Sequence, residues 1–216
     1  DTLDTPLNNA PWLRERFAQI RKLPDYDEQY QAILEILDRT DPGPGGFYDN
    51  LGDLSRQPHL VRGPGAKKDP EFRHSSLVGH GYPEGTPTAT PTAKNGFPEW
   101  SRAPMPTAWK CWAGSMFDAP LQMQYQGLDP NARYQVRVVY SGDEPQLKIR
   151  LDCNGNYPIH PLMEKPWPPK PLEFDTPREA TGAGNLTLIW HREAGLGHNG
   201  RGCQVAEVWL IKKQSA

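Results

Sequence analysis

The chain has 216 residues, with 24 Lys+Arg against 26 Asp+Glu and a formal net charge of −2. It carries no basic excess to neutralise a phosphate backbone, which excludes a general nucleic-acid binder; with 23% charged residues and little net charge it also lies outside the disordered class. Its 24 Pro and 20 Gly, beside seven Trp, exclude a helical bundle and favour short strands, turns and long irregular loops.

Residues 1–9 read as a loose arm. A first helix is predicted over Pro11–Leu23, capped by Asn9, with Pro11 in its first turn and Trp12, Phe17, Ile20 and Leu23 as its apolar stripe. Pro24 ends it. Asp25 or Asp27 starts a second helix reaching Arg39, with Tyr30, Ile33, Leu34 and Leu37 facing inward. This hairpin, residues 1–40, is too small to fold alone and must dock on something.

Asp41-Pro42-Gly43-Pro44-Gly45-Gly46 is a hard stop. From Asp41 to Thr107 there are 10 Gly and 11 Pro, a density that forbids long regular elements. Aromatic and aliphatic residues persist there, so residues 41–107 read as an ordered segment wrapping a core. Short strands are expected near His59–Arg62 and Ser76–Gly79, and a mobile, solvated loop over Pro83–Asn95.

From Ala108 onward the pattern alternates. Leu121, Met123 and Tyr125 alternate with glutamines; Tyr134, Val136, Val138 and Tyr140 with Gln135 and Arg137; Leu147, Ile149, Leu151 and Cys153 with Lys148, Arg150 and Asp152. Period two with one apolar face marks half-buried antiparallel strands. Further strands are expected at Ala108–Ala113, Leu172–Asp175, Leu186–Arg192 and Cys203–Lys212. The fold class is therefore mainly β: an antiparallel β-sandwich or jelly roll over residues 108–216, with an N-terminal helical hairpin and long Gly/Pro-rich wrapping loops, all one structural unit.

No run has the apolar length to span a bilayer, and no charged-then-apolar signal segment opens the chain. Asp1 reads as the start of a mature or trimmed product. Cys111, Cys153 and Cys203 are an odd count, read either as one Cys111–Cys153 disulfide between neighbouring strands or as three buried thiols.

The run Tyr125-Gln126-Gly127-Leu128-Asp129-Pro130-Asn131-Ala132-Arg133-Tyr134-Gln135-Val136-Arg137-Val138 resembles a recurring corner of galactose-binding-like β-sandwich modules. The stretches Leu172–Phe174, Leu186–Trp190 and Cys203–Leu210 are similar to the closing strands of such modules. The resemblance covers residues 108–213. It implies the kind of module appended to bacterial carbohydrate-active enzymes: a secreted or periplasmic accessory that binds a polysaccharide or oligosaccharide, sometimes with structural calcium, beside a catalytic domain of the same longer protein. Some members of the fold only brace a neighbouring domain.

The candidate ligand-binding residues come from three places. In Gly195-Leu196-Gly197-His198-Asn199-Gly200-Arg201-Gly202, four glycines let His198, Asn199 and Arg201 project together towards sugar hydroxyls or a carboxylate; the other reading is a tight strand connection with Arg201 paired to Glu207. Trp100 and Trp167 sit among prolines that hold an aromatic plane at a surface for stacking on a sugar ring, whereas Trp190 and Trp209 read as core. Arg137, Lys148 and Arg150, with Gln122, Gln124 and Gln135, form a basic, amide-rich plane if their strands pair, one suited to uronate or sulfate; otherwise they are a solvated face.

Asp41, Asp49 and Asp53 beside the Gly-rich turn are candidate calcium ligands, or serve as turn and cap residues. The six histidines show no zinc spacing. No catalytic residue is assigned. An alternative is a small glycan hydrolase or lyase, for which Glu99, Asp118, Glu173, Asp175 and Glu207 are the carboxylates to pair; a second is a structural interdomain module docked through the hairpin. Glu207, on a strand face with Val205 and Trp209, is read as paired with an Arg or functional.

Overall fold

A computed structural model describes residues 6–53, 56–61, 105–116, 118–142, 147–195 and 201–213. The chain divides into two units: Asp1–Asp41 with Tyr82–Thr107, and Pro42–Gly81 with Ala108–Ala216. The expected strand at Ser76–Gly79 and the loop Pro83–Asn95 lie outside the described residues.

In the first unit, α1 spans Pro6–Ile20 and α2 spans Tyr26–Leu37. Helix α1 starts earlier than the sequence predicted. Pro11 lies inside it, giving up the backbone bond to the carbonyl one turn before. Asn9 is therefore helical and does not cap; its Oδ1 accepts from the Thr107 N–H at 2.8 Å. The chain leaves α1 through tightened bonds, Lys22 N–H to Gln19 O and Leu23 N–H to Ile20 O, just before Pro24. Asp27 and Glu28 place negative charge in the first turn of α2, where the helix dipole favours it. Ile36 is the buried residue of α2, while Tyr30 and Leu37, expected to face inward, are exposed. Ile36 lies off the line through residues 30 and 37, so burying it turns that line outward.

Among the described residues, the second unit holds nine strands: β1 Phe47–Asn50, β2 Ala113–Met116, β3 Leu121–Gln126, β4 Arg133–Tyr140, β5 Lys148–Cys153, β6 Tyr157–Glu164, β7 Pro171–Asp175, β8 Asn185–Arg192 and β9 Arg201–Lys213. A one-turn α3, Arg178–Thr181, links β7 to β8. Two antiparallel sheets form. Sheet A runs β1-β9-β4-β7, with β2 also on β9; sheet B runs β3-β8-β5-β6. The fold is mainly β, a two-sheet sandwich. At residues 59–61 a single bridge, Leu60 to Met123, continues sheet B past β3, with the Val61 N–H on Gln122 O at 2.9 Å.

Several elements differ from the sequence reading. Thr107–Lys110 is a 3₁₀ turn, and the strand there begins only at Ala113. Strand β6 carries Pro158 and Pro161, which break the strand pattern in sequence yet are tolerated because β6 is an edge. Strands β4 and β5 do not pair. They lie in opposite sheets, so Arg137 and Gln135 share no plane with Lys148, Arg150, Gln122 and Gln124. The expected Cys111–Cys153 disulfide is not formed. Cys153 ends β5 in sheet B, whereas Cys111 precedes β2 of sheet A and packs so closely on Gly52 that a Cβ there would lie 2.3 Å from the Cys111 Cβ.

The core lies between the sheets. Val136, Val138, Val208 and Leu210 of sheet A meet Met123, Tyr125, Ile149, Leu151, Leu186, Leu188 and Trp190 of sheet B, all buried. Each such aliphatic side chain contributes roughly 1.5–3 kcal/mol on leaving water. The corner of the family resemblance is closed by hydrogen bonds. The Asp129 N–H donates to Tyr134 Oη at 2.9 Å, the Asn131 N–H to Asp129 Oδ1 at 2.9 Å, and Lys212 Nζ to Asp129 Oδ2 at 2.8 Å. Lys212, then the Asn131 N–H, hold the Asp129 carboxyl below its ordinary value.

One polar chain crosses the core. Trp190 Nε1–H on β8 donates to Tyr140 Oη on β4 at 3.0 Å, and Tyr140 donates onward to His160 Nε2 on β6 at 2.7 Å. His160 Nδ1–H ends the chain on the Pro161 carbonyl at 2.8 Å. Burial lowers the His160 pKa, keeping the ring neutral as this pattern of donors requires. Beyond β4, Gly142 has φ +108°, and a Cβ there would strike the Gln204 side chain, whose Oε1 accepts from buried Lys165 Nζ at 2.6 Å.

The chain of three side chains predicts the effect of Tyr140→Phe. Removing the hydroxyl strands a buried indole N–H and a buried imidazole nitrogen, at about 1–3 kcal/mol. Urea unfolding should show a lower midpoint at unchanged slope; an unmoved midpoint would show that the chain contributes no stability.

Candidate functional site: the open face of sheet B

The two sheets treat their outer faces differently. On sheet A the register aligns Tyr48, Trp209, Arg137 and Glu173 across four strands. Trp209 and Glu207 are buried there. The Glu207 carboxylate accepts from the Tyr48 hydroxyl and, at 2.7 Å, from Trp109 Nε1–H. Arg137 lies 5.9 Å from the centre of the Trp209 ring and is bound to Glu173 at 2.7 Å. Trp209 and Glu207 thus leave this face closed at its centre.

On sheet B the outward residues are Gln122 and Gln124 of β3, Thr187, Ile189 and His191 of β8, and Lys148, Arg150 and Asp152 of β5. Pairing places Gln124 beside Thr187, Ile189 between Gln122 and Asp152, and Arg150 beside His191. These side chains are half-buried or exposed. Asp152 Oδ2 lies 3.0 Å from Arg150 Nε and 3.6 Å from His191 Nε2. Partial burial, then the Arg150 charge, lowers the His191 pKa and favours the neutral ring. The face therefore presents amide, hydroxyl, neutral imidazole, guanidinium and carboxylate groups in fixed register around one aliphatic side chain, Ile189.

A second cluster lies where β1 meets residues 59–61. Asp49 is fully buried, with Oδ1 and Oδ2 at 3.0 and 2.9 Å from His59 Nδ1. The Tyr125 hydroxyl donates to Asp49 Oδ2 at 3.1 Å, and burial together with the Asp49 charge raises the phenol pKa well above its ordinary value. His59 stacks on Tyr125 at 4.6 Å between ring centres, with Phe47 edge-on at 5.1 Å. The sequence reading missed this pairing. Ten residues separate His59 from Asp49 and no spacing motif joins them; only the bridge to β3 brings them together.

The sequence-predicted site residues are scattered. Trp167 lies in the β6–β7 connection and is 44% exposed. Arg137 is on sheet A and Arg150 on sheet B. Arg201 opens β9 opposite Met116, while Trp100, His198 and Asn199 lie outside the described residues. Of the calcium candidates, Asp49 is engaged by His59 and Tyr125, Asp53 lies 3.6 Å from Arg56, and Asp41 belongs to the other unit. Among the described residues no three His, Cys, Asp or Glu side chains are grouped to hold a metal ion. No described helix is long and apolar enough to cross a membrane. Of the carboxylates considered for catalysis, Asp118 binds Arg192, Glu173 binds Arg137, and Glu207 takes bonds from Tyr48 and Trp109.

No protein-family model matches the chain, and no curated protein matches it. Among solved structures it is similar to the CBM35 module from Cellvibrio japonicus Abf62, at 10% identity and a TM-score of 0.34, over 49% of this chain and 75% of that one. It is also similar to the ANX1 ectodomain from Arabidopsis thaliana, at 14% identity and a TM-score of 0.46, over 78% of this chain and 48% of that one. A third similarity is to an exo-β-1,3-galactanase from Phanerochaete chrysosporium, at 9% identity and a TM-score of 0.30, over 47% of this chain and 23% of that one. The chain thus spans less than half the length of the last two. Likenesses at this level carry no information on ligand or activity.

Asp118 organises the near end of the Gly-rich loop after β8. Its Oδ1 lies 3.0 Å from both Arg192 Nε and Nη2, and its Oδ2 accepts from the Gly195 N–H at 3.2 Å. The Gly195 N–H, then Arg192, hold its carboxyl below the ordinary 3.8. A lowered folded pKa gives stability that is complete above the unfolded value and lost as pH falls through the folded one. Urea midpoints of wild type and Asp118→Asn should therefore differ at neutral pH and converge at pH values below 3.8. A gap that persists unchanged in acid would contradict this role.

Proposed function

We propose that this chain is a non-catalytic carbohydrate-binding module, an accessory of an exported polysaccharide-degrading system, and that the outer face of sheet B is its ligand platform. The observation that carries this reading is the register: Gln124 with Thr187, Ile189 between Gln122 and Asp152, and Arg150 with His191, half-buried or exposed on paired strands.

A sugar hydroxyl both donates and accepts. Glutamine amides and a threonine hydroxyl match that dual capacity, and the Arg150–Asp152 pair offers a donor and an acceptor side by side to neighbouring hydroxyls. Ile189 gives the apolar C–H face of a ring something to rest on. Paired strands hold these groups in place before the ligand arrives, which lowers the ordering cost of binding. Trp167 is an additional stacking group in this reading. The carboxylates at Asp118, Glu173 and Glu207 are each engaged by a cation or by hydrogen-bond donors, which favours a binder over a glycan hydrolase.

Affinity electrophoresis against neutral and acidic polysaccharides, with product release measured on the same panel, tests the proposal. Retardation on at least one glycan without product is expected. Gln124→Ala and Arg150→Ala should each weaken it roughly 2- to 12-fold, the equivalent of ~0.5–1.5 kcal/mol for one hydrogen bond. Absence of retardation on every glycan would overturn the proposal. A loss confined to Trp167→Ala would move the site to the β6–β7 connection and overturn the assignment to sheet B.

A further inference from the structure

Four of the six large apolar side chains exposed among the described residues lie on the helical hairpin: Phe17 at 41%, Tyr26 at 75%, Tyr30 at 49% and Leu37 at 50%. On α2 they are in line. Residues 26, 30, 33 and 37 are spaced four, three and four apart, the spacing of one helix face, and the Tyr26 and Tyr30 rings stack at 6.5 Å. Solvent-exposed tyrosine and leucine in such a line form a contiguous apolar stripe, where scattered single residues would need no account.

The charges beside these side chains are segregated by helix. From Asp25 to Asp38 the chain holds Asp25, Asp27, Glu28, Glu35 and Asp38 and no Lys or Arg. Asp27 and Asp38 flank the α2 stripe on one side. Helix α1 and the turn after it hold Arg14, Arg16, Arg21 and Lys22 against Glu15. Arg14 and Arg21, three residues before and four after Phe17, share its face. Arg16 and Glu35 bridge the two helices at 3.9 Å, so part of the segregated charge is met within the hairpin. Arg14, Arg21, Asp27 and Asp38 form no ion pair among the described residues.

We propose that the hairpin is a self-association surface: two copies pair about a two-fold axis, the basic Phe17 face of α1 in each lying on the acidic Tyr26–Tyr30–Leu37 face of α2 in the other, to make an antiparallel four-helix bundle. A two-fold axis makes both contacts at once, α1 on α2 and α2 on α1, so the interface closes on itself. Face-to-face pairing of α2 with α2 would set acid against acid. Antiparallel helices with apolar seams and charged flanks are the ordinary construction of such bundles. The inference is independent of the glycan reading and uses none of the residues of sheet B.

Sedimentation equilibrium of the full chain, over a concentration series at low salt, tests it. Wild type should approach twice 24.3 kDa, and its association should weaken by about tenfold or more in high salt, where exposed charges are screened. Tyr26→Ser/Tyr30→Ser should be monomeric. Arg14→Glu/Arg21→Glu and Asp27→Lys/Asp38→Lys should each be monomeric alone and should pair with each other when mixed, because the swap restores opposite charges across both contacts. Circular dichroism on every variant confirms that the helices persist. A wild type that stays monomeric at all concentrations overturns the proposal. So does dimerisation of either charge variant alone as tight as wild type, or failure of the two folded variants to pair when the wild type dimerises.

Discussion

The structure depends on β9. This one strand pairs with β1 and β2 along one edge and with β4 along the other, so sheet A is assembled around it. Its inward residues Val208 and Leu210 enter the core, and its outward residues Glu207 and Trp209 are buried as well. A carboxylate can be buried there because a tyrosine hydroxyl and an indole N–H are brought to it, by β1 and by the 3₁₀ turn. Closing one face of the sandwich in this way leaves sheet B as the sheet with an open, polar outer surface.

That surface is stiffly supported from within. Beneath the outward Ile189 and His191, Trp190 of the same strand points into the core and is tied through Tyr140 to His160, joining both sheets. The polar chain fixes the orientation of three large rings where apolar packing alone would leave them freer. The groups on the outer face inherit that rigidity, which suits recognition of a ligand whose own hydroxyls are many and individually weak.

Much of the strand content was legible, because β3, β5 and most of β4 alternate and alternation is what a half-buried strand must show. Strand β6 was not, since Pro158 and Pro161 contradict the pattern until its edge position is known. Sheet membership was illegible: alternation says which residues point out but not which strands are neighbours, and so Arg137 and Arg150 were joined on one plane when β4 and β5 lie in different sheets. The same limit hid the Asp49–His59–Tyr125 cluster, which exists only through the contact of residues 59–61 with β3. The orientation of α2 was misread because its apolar residues occupy more than one face, and burial of Ile36 decided between them.

The most direct test of the open-face account is a nuclear magnetic resonance titration of the isotope-labelled chain with an oligosaccharide that it retains. The side-chain amides of Gln122 and Gln124 and the backbone amides from Thr187 to His191 should shift together and saturate at one ligand concentration. Shifts confined to the Trp167 indole or to the residues around His59, with the glutamine amides unmoved at saturation, would contradict it.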